Sequence, residues 1–323
     1  MKLGAIDVGS QSIRISIFED ENGVISRCHA EFEPIALGKK GFDNRVLGKE
    51  SIDALVALFL HFKRLFNDHA VIAYGAVATS AMRNFSNRHE ILTAIEEASG
   101  IELVLIGGEE EAELNYQGVL DVIGVSPHPR WLVDIGGGSV ELIADTPEGR
   151  AGLWSLPIGS WRFPELCQKN AVVAPNLVID DAVEAIEKAM VPCQEGGVPS
   201  GSEVVALGGN VRALGWLLEK RNGSAPEAPP MAPLKELLNE AVMLSTEERS
   251  AHYEISESRS ETLVSTGVIL YTLATRLGVS EVSTPHVNLR RCMAAFLSTF
   301  AHGSGRLHTH ELHDKICRAW LVS

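Results

Sequence analysis

The hydrophobic positions of this chain change period several times, and the changes mark out its elements. Residues 3–8 (Leu-Gly-Ala-Ile-Asp-Val) form a nearly continuous apolar run, which predicts a buried strand ending in a glycine turn. Ile13, Ile15 and Ile17 alternate with Arg14 and Ser16, the two-residue period of a second strand, so Gly9-Ser10-Gln11 becomes a hairpin connection. Ile52, Leu55, Val56, Leu58, Phe59, Phe62, Leu65 and Phe66 recur at the spacing of one helix face and predict an amphipathic helix over 51–66, with Ser51 as its cap. Residues 71–77 read as a strand, 89–99 as a helix closed by Gly100, and 102–106 as a short strand. A helix with a strongly acidic start follows over 109–120.

The pattern then begins again. Residues 131–135 and 140–144 predict a strand and its hairpin partner, 180–190 a helix, and 204–207 a strand running into Gly208-Gly209. The segment 222–233 is rich in Pro, Ala and Gly and predicts a loop. Helical patterns cover 234–244 and 261–277, and the chain is again largely helical from Leu289. Strands alternating with helices argue for the α/β class, and the hairpins among them argue for mixed rather than purely parallel sheets.

A length of 323 residues predicts two domains, and 45% hydrophobic residues suffice for real cores. The net charge of −14 argues against a general nucleic-acid binder or a membrane-surface protein, both of which need a basic face. It leaves a polyanionic substrate open, because a local basic pocket or a bound metal outweighs the global sign. No run approaches the ~20 apolar residues of a membrane span. The first strand at Leu3 leaves no room for a signal peptide, so a cytoplasmic protein is expected. Five scattered cysteines (Cys28, Cys167, Cys193, Cys292, Cys317) with no CxxC pair read as reduced thiols.

Residues 7–14, Asp-Val-Gly-Ser-Gln-Ser-Ile-Arg, can be laid over 134–141, Asp-Ile-Gly-Gly-Gly-Ser-Val-Glu. Both are Asp-x-Gly-x-x-Ser after an apolar strand and before an alternating one, and such self-similarity at about one domain's spacing suggests a duplicated fold. Glycines in a tight strand turn let backbone N–H groups converge on a phosphate, the serine adds a donor, and the aspartate can hold a divalent cation. Gly208-Gly209 is a candidate third loop. A single turn of this kind is most often structural; two copies with the same Asp and Ser favour the functional reading.

These residues resemble the exopolyphosphatase/guanosine pentaphosphate phosphatase family of the actin, sugar-kinase and heat-shock-ATPase superfamily, in its short two-domain type. The resemblance rests on AIDVGSQSIR (5–14), ALG (36–38) with Arg45 and Leu47, and AVATSAMRN (76–84). It continues through GGEEEAEL (107–114), LVDIGGGSVEL (132–142), SLPIGSWRF (155–163) and ALGGN (206–210). It implies an α/β fold of two duplicated ribonuclease-H-like domains with mixed sheets and an interdomain cleft. The expected domains are 1–122 and 123–323, a final helix of about 305–323 packing back on the first. It further implies release of terminal phosphate from inorganic polyphosphate or guanosine pentaphosphate, Mg2+ as cofactor, a homodimer, and no nucleic-acid or membrane partner.

Carried onto this sequence, the family's water-activating glutamate falls on Glu111, just before Ala112, and its arginine on Arg83. The expected phosphate-binding residues are Gly9, Ser10, Ser12, Arg14, Gly136, Gly137, Gly138, Ser139, Gly208, Gly209 and Asn210; the expected metal ligands are Asp7, Asp134 and Glu141. These residue types suit phosphoryl transfer, which needs in-line water, charge neutralisation and positioning. Arg83 offers a bidentate fork to phosphate, or else serves as a surface ion-pair residue. Glu109 and Glu110 read as solvent-facing charges favoured by the helix dipole.

The sequence departs from the family pattern at Gln11 (asparagine in the family), Val140 (threonine), Asn210 (threonine) and Arg291 (glutamate), while Arg259 stands where the family has an arginine. Two other readings stay open: a kinase or ATPase on the same fold, and a catalytically weak polyphosphate or alarmone sensor. His302, His308, His310 and His313 read as a solvated tail rather than a zinc site. Trp154, Trp161 and Trp216 read as packing residues rather than base-stacking ones.

Overall fold

The computed structural model describes residues 1–38, 45–162, 186, 203–222, 231–279, 282–302, 315 and 317–319. The helix expected at 180–190 lies outside these except for Ile186, as do His308, His310 and His313. The chain divides into two compact units, one of Met1–Val122 with Val287–Ser323 and one of Ile123–His286.

In chain order the first unit holds β1 (Lys2–Val8), β2 (Ile13–Glu21), β3 (Val24–Glu33), α1 (Lys49–Asp68), β4 (Ala73–Ala78), α2 (Ser80–Asn84), α3 (Arg88–Ser99), β5 (Val104–Leu105) and α4 (Gly108–Ile123). The second holds β6 (Arg130–Ile135), β7 (Val140–Thr146), β8 (Gly149–Leu156), β9 (Glu203–Leu207), α5 (Gly209–Asn222), α6 (Met231–Ala241), α7 (Thr246–Tyr253), α8 (Glu257–Arg276) and β10 (Val282–Ser283). The chain returns to the first unit with α9 (Leu289–Ala301) and β11 (Cys317–Ala319). The return therefore begins at Val287, not near 305, and residues 317–319 are a strand where a final helix was expected.

The two sheets repeat one topology. β1-β2-β3 is an antiparallel meander, β4 joins β1 in parallel, and β5 joins β4 in parallel. Likewise β6-β7-β8 is a meander, with β9 parallel to β6 and β10 parallel to β9. The first sheet adds β11, antiparallel along the outer edge of β4 that β5 also uses. The fold is α/β, a duplicated ribonuclease-H-like architecture with mixed sheets.

Strand parity decides what each face of the first sheet carries, since successive side chains point to opposite faces. Ile6, Val8, Ile13, Ile15 and Ile17 bury one face against Leu55, Phe59, Phe62 and Phe66 of α1 and Ile91 and Ile95 of α3. Gly4 leaves its space on that face to the Phe66 ring. The opposite face carries Ala5 and Val77 against Leu114 of α4 and Leu289, Met293, Ala294 and Phe296 of α9. Gly118 of α4 lies so close to Cys292 of α9 that a Cβ would overlap the thiol, which lets the two helices pack tightly. Asp7, Arg14 and Ser16 share this second face by register, and α9 supplies a partner to Asp7 and Ser16.

The second unit has a single large core. Val133, Ile135, Val140, Leu142 and Ala206 pack with Val211 and Leu214 of α5, Leu237 of α6, and Leu263, Ile269 and Leu273 of α8.

Helix ends obey local chemistry with one correction. Gly100 closes α3 at φ 71°, as its position suggested. The first residue before α1 is Gly48, without a side-chain cap, and Ser51 lies inside the first turn. Helix α6 starts at Met231, so Pro233 falls in a first turn, where the missing N–H costs nothing.

Glu31 on β3 joins strand to helix: His61 of α1 donates to it at 2.7 Å and His29 at 3.0 Å. Burial pushes the Glu31 carboxyl up, but the two imidazole bonds and their charge outweigh this and hold it below the usual range. A depressed folded-state carboxyl contributes stability above its unfolded value, and that contribution disappears as pH falls through the folded one. Chemical denaturation at descending pH should therefore show a smaller acid loss for Glu31→Gln than for the parent protein.

Candidate active site

The two Asp-x-Gly-x-x-Ser segments fold alike. In the first, Gly9 N–H donates to Ser12 O at 3.1 Å; in the second, Gly136 N–H donates to Ser139 O at 3.0 Å. Each bond closes a tight hairpin end, and each loop is braced by the segment after the third strand of its meander. Gly38 N–H donates to Ser10 O at 2.8 Å. In the second unit Ser160 N–H donates to Gly136 O at 3.0 Å and Trp161 N–H to Gly137 O at 2.8 Å. Gly159 packs so tightly that a Cβ would lie 2.5 Å from Gly137 O and Gly138 N. The segments around 36–38 and 157–161 are thus the backing of the two glycine loops, a role that no local period reveals. Ser10, Ser12 and Ser139 are all buried within these loops.

In the second unit Asp134 and Glu141 are directly opposed across β6 and β7, so parity places both carboxylates on one face at the loop end. Glu141 is buried and accepts from Ser155 Oγ at 3.0 Å, which fixes its orientation. Gly208, at φ 119°, leaves open the space beside Asp134, where a Cβ would lie 3.6 Å from Asp134 Oδ1. Two hard oxygen donors beside a glycine cradle fit a Mg2+ ion, which takes one or two carboxylates and completes its shell with water and phosphate oxygens. Among the described residues no three His, Cys, Asp or Glu side chains gather at metal-binding spacing.

The same parity decides where Val140 points. It falls opposite Ile135 and is fully buried in the core, so a hydroxyl missing there is missing from the interior face and not from that of Glu141. Asn210 uses its side-chain amide within the second unit. Its amide nitrogen donates to Thr262 Oγ1 at 2.5 Å and to Arg259 O at 3.4 Å, which commits both donors inside the unit. Arg259 in turn donates to Gly209 O at 2.7 Å and so stands beside the Gly208-Gly209 loop.

The first unit treats its aspartate differently. The register position of Glu141 is taken by Arg14, opposite Asp7, with its guanidinium carbon 5.7 Å from the Phe32 ring centre. Arg290 of α9, 8% exposed, places Nη1 3.2 Å from Asp7 Oδ2 and Nε 3.0 Å from Ser16 Oγ. A divalent cation at Asp7 would meet a fixed guanidinium and a second arginine across the ladder. Asp7 is thus held by Arg290.

Arg83 and Glu111 come together. The α2 helix presents Arg83 so that Nη1 lies 3.7 Å from Glu111 Oε2 and donates to Ile106 O at 2.6 Å. Glu111 sits in the first turn of α4, nine-tenths buried, its own N–H bound to Gly107 O at 3.0 Å. Glu110 is not the solvent-facing charge expected of it. Its Oε2 accepts from Gly107 N–H at 2.6 Å, and Lys315 Nζ lies 2.6 and 2.8 Å from its two oxygens. Burial pushes the Glu110 carboxyl up, but Lys315, the Gly107 N–H and Arg83 together hold it below the usual range. Arg291, whose charge departs from the family pattern, lies 3.7 Å from Asp121 and donates to Ile25 O at 3.4 Å. Its reversed sign is thus met locally by an acidic partner.

Of the tryptophans, Trp154 packs on Trp131 at 6.0 Å and Trp216 is exposed beneath Lys220. No helix among the described residues is long and apolar enough to cross a membrane.

The model of the Ppx/GppA phosphatase family matches residues 16–294. Exopolyphosphatase 1 of Mycobacterium tuberculosis is 27% identical over 164 residues, 50% of this chain and 48% of that protein. The chain thus spans about half the length of the curated relatives it matches. A crystal structure of an exopolyphosphatase from Cytophaga hutchinsonii superposes with TM-score 0.81 at 21% identity, covering 94% of this chain and 98% of that one. The Aquifex aeolicus Ppx/GppA family member superposes with TM-score 0.78 at 21% identity, covering 95% and 99%. At such identities the two structures speak for the fold.

Proposed function

Because this chain belongs to the Ppx/GppA phosphatase family, we propose that it releases terminal phosphate from inorganic polyphosphate, using water activated by Glu111. The observation that carries this reading is the Glu111–Arg83 pair, a buried carboxylate beside a guanidinium anchored on Ile106 O.

In this mechanism Glu111 orients the attacking water and accepts its proton as the water oxygen bonds to the terminal phosphorus. The bond from phosphorus to the bridging oxygen breaks, and the shortened chain keeps the electron pair. Arg83, fixed at Ile106, offers its guanidinium to the equatorial oxygens of the transferring phosphoryl group, where charge is spread in a loose transition state. The loop N–H groups of 136–139 and Gly208 bind phosphate oxygens in the second unit, as those of 9–12 do in the first. Asp134 and Glu141 would hold a Mg2+ ion, which would supply charge neutralisation to the phosphate. Arg259, already on Gly209 O, adds a fixed positive charge at that loop.

The test is phosphate release by the purified protein with Mg2+ from short polyphosphate, long polyphosphate, guanosine pentaphosphate and ATP. Release from polyphosphate is the expected result. Release from guanosine pentaphosphate alone would move the substrate to the alarmone. Phosphate transfer from ATP to an acceptor, with polyphosphate untouched, would make the protein a kinase, and tight polyphosphate binding without turnover would make it a sensor.

A further inference from the structure

We infer that Lys315 is a positioning residue for Glu111, acting through Glu110; the inference rests on Glu111 being the base. The peptide between β5 and α4 is held at consecutive residues. Arg83 donates to Ile106 O at 2.6 Å, Gly107 N–H donates to Glu110 at 2.6 Å, and Gly107 O accepts from Glu111 N–H at 3.0 Å. The turn that aims Glu111 therefore depends on the Glu110 carboxylate staying ionised and in place. Lys315, 205 positions further along the chain, holds both of its oxygens.

The arrangement also has an electrostatic side. Glu110 is the immediate neighbour of the base, and an uncompensated carboxylate there favours the protonated, inactive form of Glu111. Among the described residues Glu111 faces Arg83 from α2, has Glu109, Glu110 and Glu113 near it in α4, and has Lys315 beyond Glu110. Lys315, with a smaller contribution from Arg83, offsets the charge of Glu110. It thus does two things at once: it locks the first turn of α4 and removes a like charge from beside the base.

The experiment compares Lys315→Met, Lys315→Arg and Lys315→Met/Glu110→Gln with the parent over a pH series, with polyphosphate as substrate. Glutamine at 110 keeps an oxygen for Gly107 N–H while removing the charge. Lys315→Met should lower kcat by about 10- to 100-fold, since small misplacements of a reacting group cost that much. KM should be little changed, and the acidic limb of the rate profile should move to higher pH. Lys315→Arg should recover most of kcat, and the double variant should return the acidic limb to its parental position. Parental kcat and limb in Lys315→Met would overturn the inference, as would a double variant no better than the single one. Glu111→Gln is assayed alongside. If it abolishes release while Lys315→Met behaves as the parent, only the positioning role falls; if release survives Glu111→Gln, the reading beneath it falls.

Discussion

If Glu111 activates the water as proposed, Glu111→Gln should lower kcat for phosphate release by about 100- to 10,000-fold, the usual worth of a positioned general base. The substitution keeps the volume of a nine-tenths buried side chain and leaves an amide oxygen facing Arg83. Folding is therefore expected to survive, and equal midpoints in chemical denaturation would confirm that the loss is catalytic. KM should stay close to the parental value, because the proposed phosphate-binding groups, Arg83 and the glycine loops, are unaltered. A variant retaining more than about a tenth of parental kcat would assign water activation to some other group and leave Glu111 as a partner of Arg83 alone.

The second large effect is on stability and concerns Asp7. Arg290→Met leaves the Asp7 carboxylate facing the second face of the sheet without its guanidinium, and removing one member of a buried pair costs about 3–5 kcal/mol. The lower end is expected here, because the Asp7 side chain keeps 16% exposure. Asp7→Asn/Arg290→Met should recover much of the loss, since removing both charges leaves nothing uncompensated. Urea denaturation gives these numbers directly. Two further variants decide the metal question by a Mg2+ titration that needs no turnover: Asp7→Asn should retain binding and Asp134→Asn should lose it. Equal losses in both would restore Asp7 to the metal site.

What could be read from the chain follows the range of the forces involved. The hairpins, α1 and the duplicated Asp-x-Gly-x-x-Ser loops are short-range patterns, and they stand where the periodicity placed them. Strand β3 escaped because both of its faces are largely exposed, so the short alternation of Cys28, Ala30 and Phe32 marks no buried side; it is held by pairing with β2. Helix α7 announced itself in Ser245 and Glu248, a reciprocal capping box that hydrophobic spacing alone passes over. Parity along 139–141 was enough to turn Val140 inward, since Glu141 on the opposite face is its immediate neighbour. In the candidate site, Glu111 and Arg83 were reached through family motifs, and the structure adds their 3.7 Å approach. Arg290 on Asp7 and Lys315 on Glu110 lie 283 and 205 positions from their partners. No local period encodes a contact of that length.

The return of the chain at Val287 bears on how the protein is made. During synthesis the segment 123–286 emerges whole and can close its core as soon as it is released. The 122 residues before it must wait, with one face of their sheet lacking α9 and the outer edge of β4 open to foreign strands, until α9 and β11 arrive. Of the two units, the one holding the earlier residues is thus completed later, across long loop closures, and that interval exposes the nascent chain to misassembly.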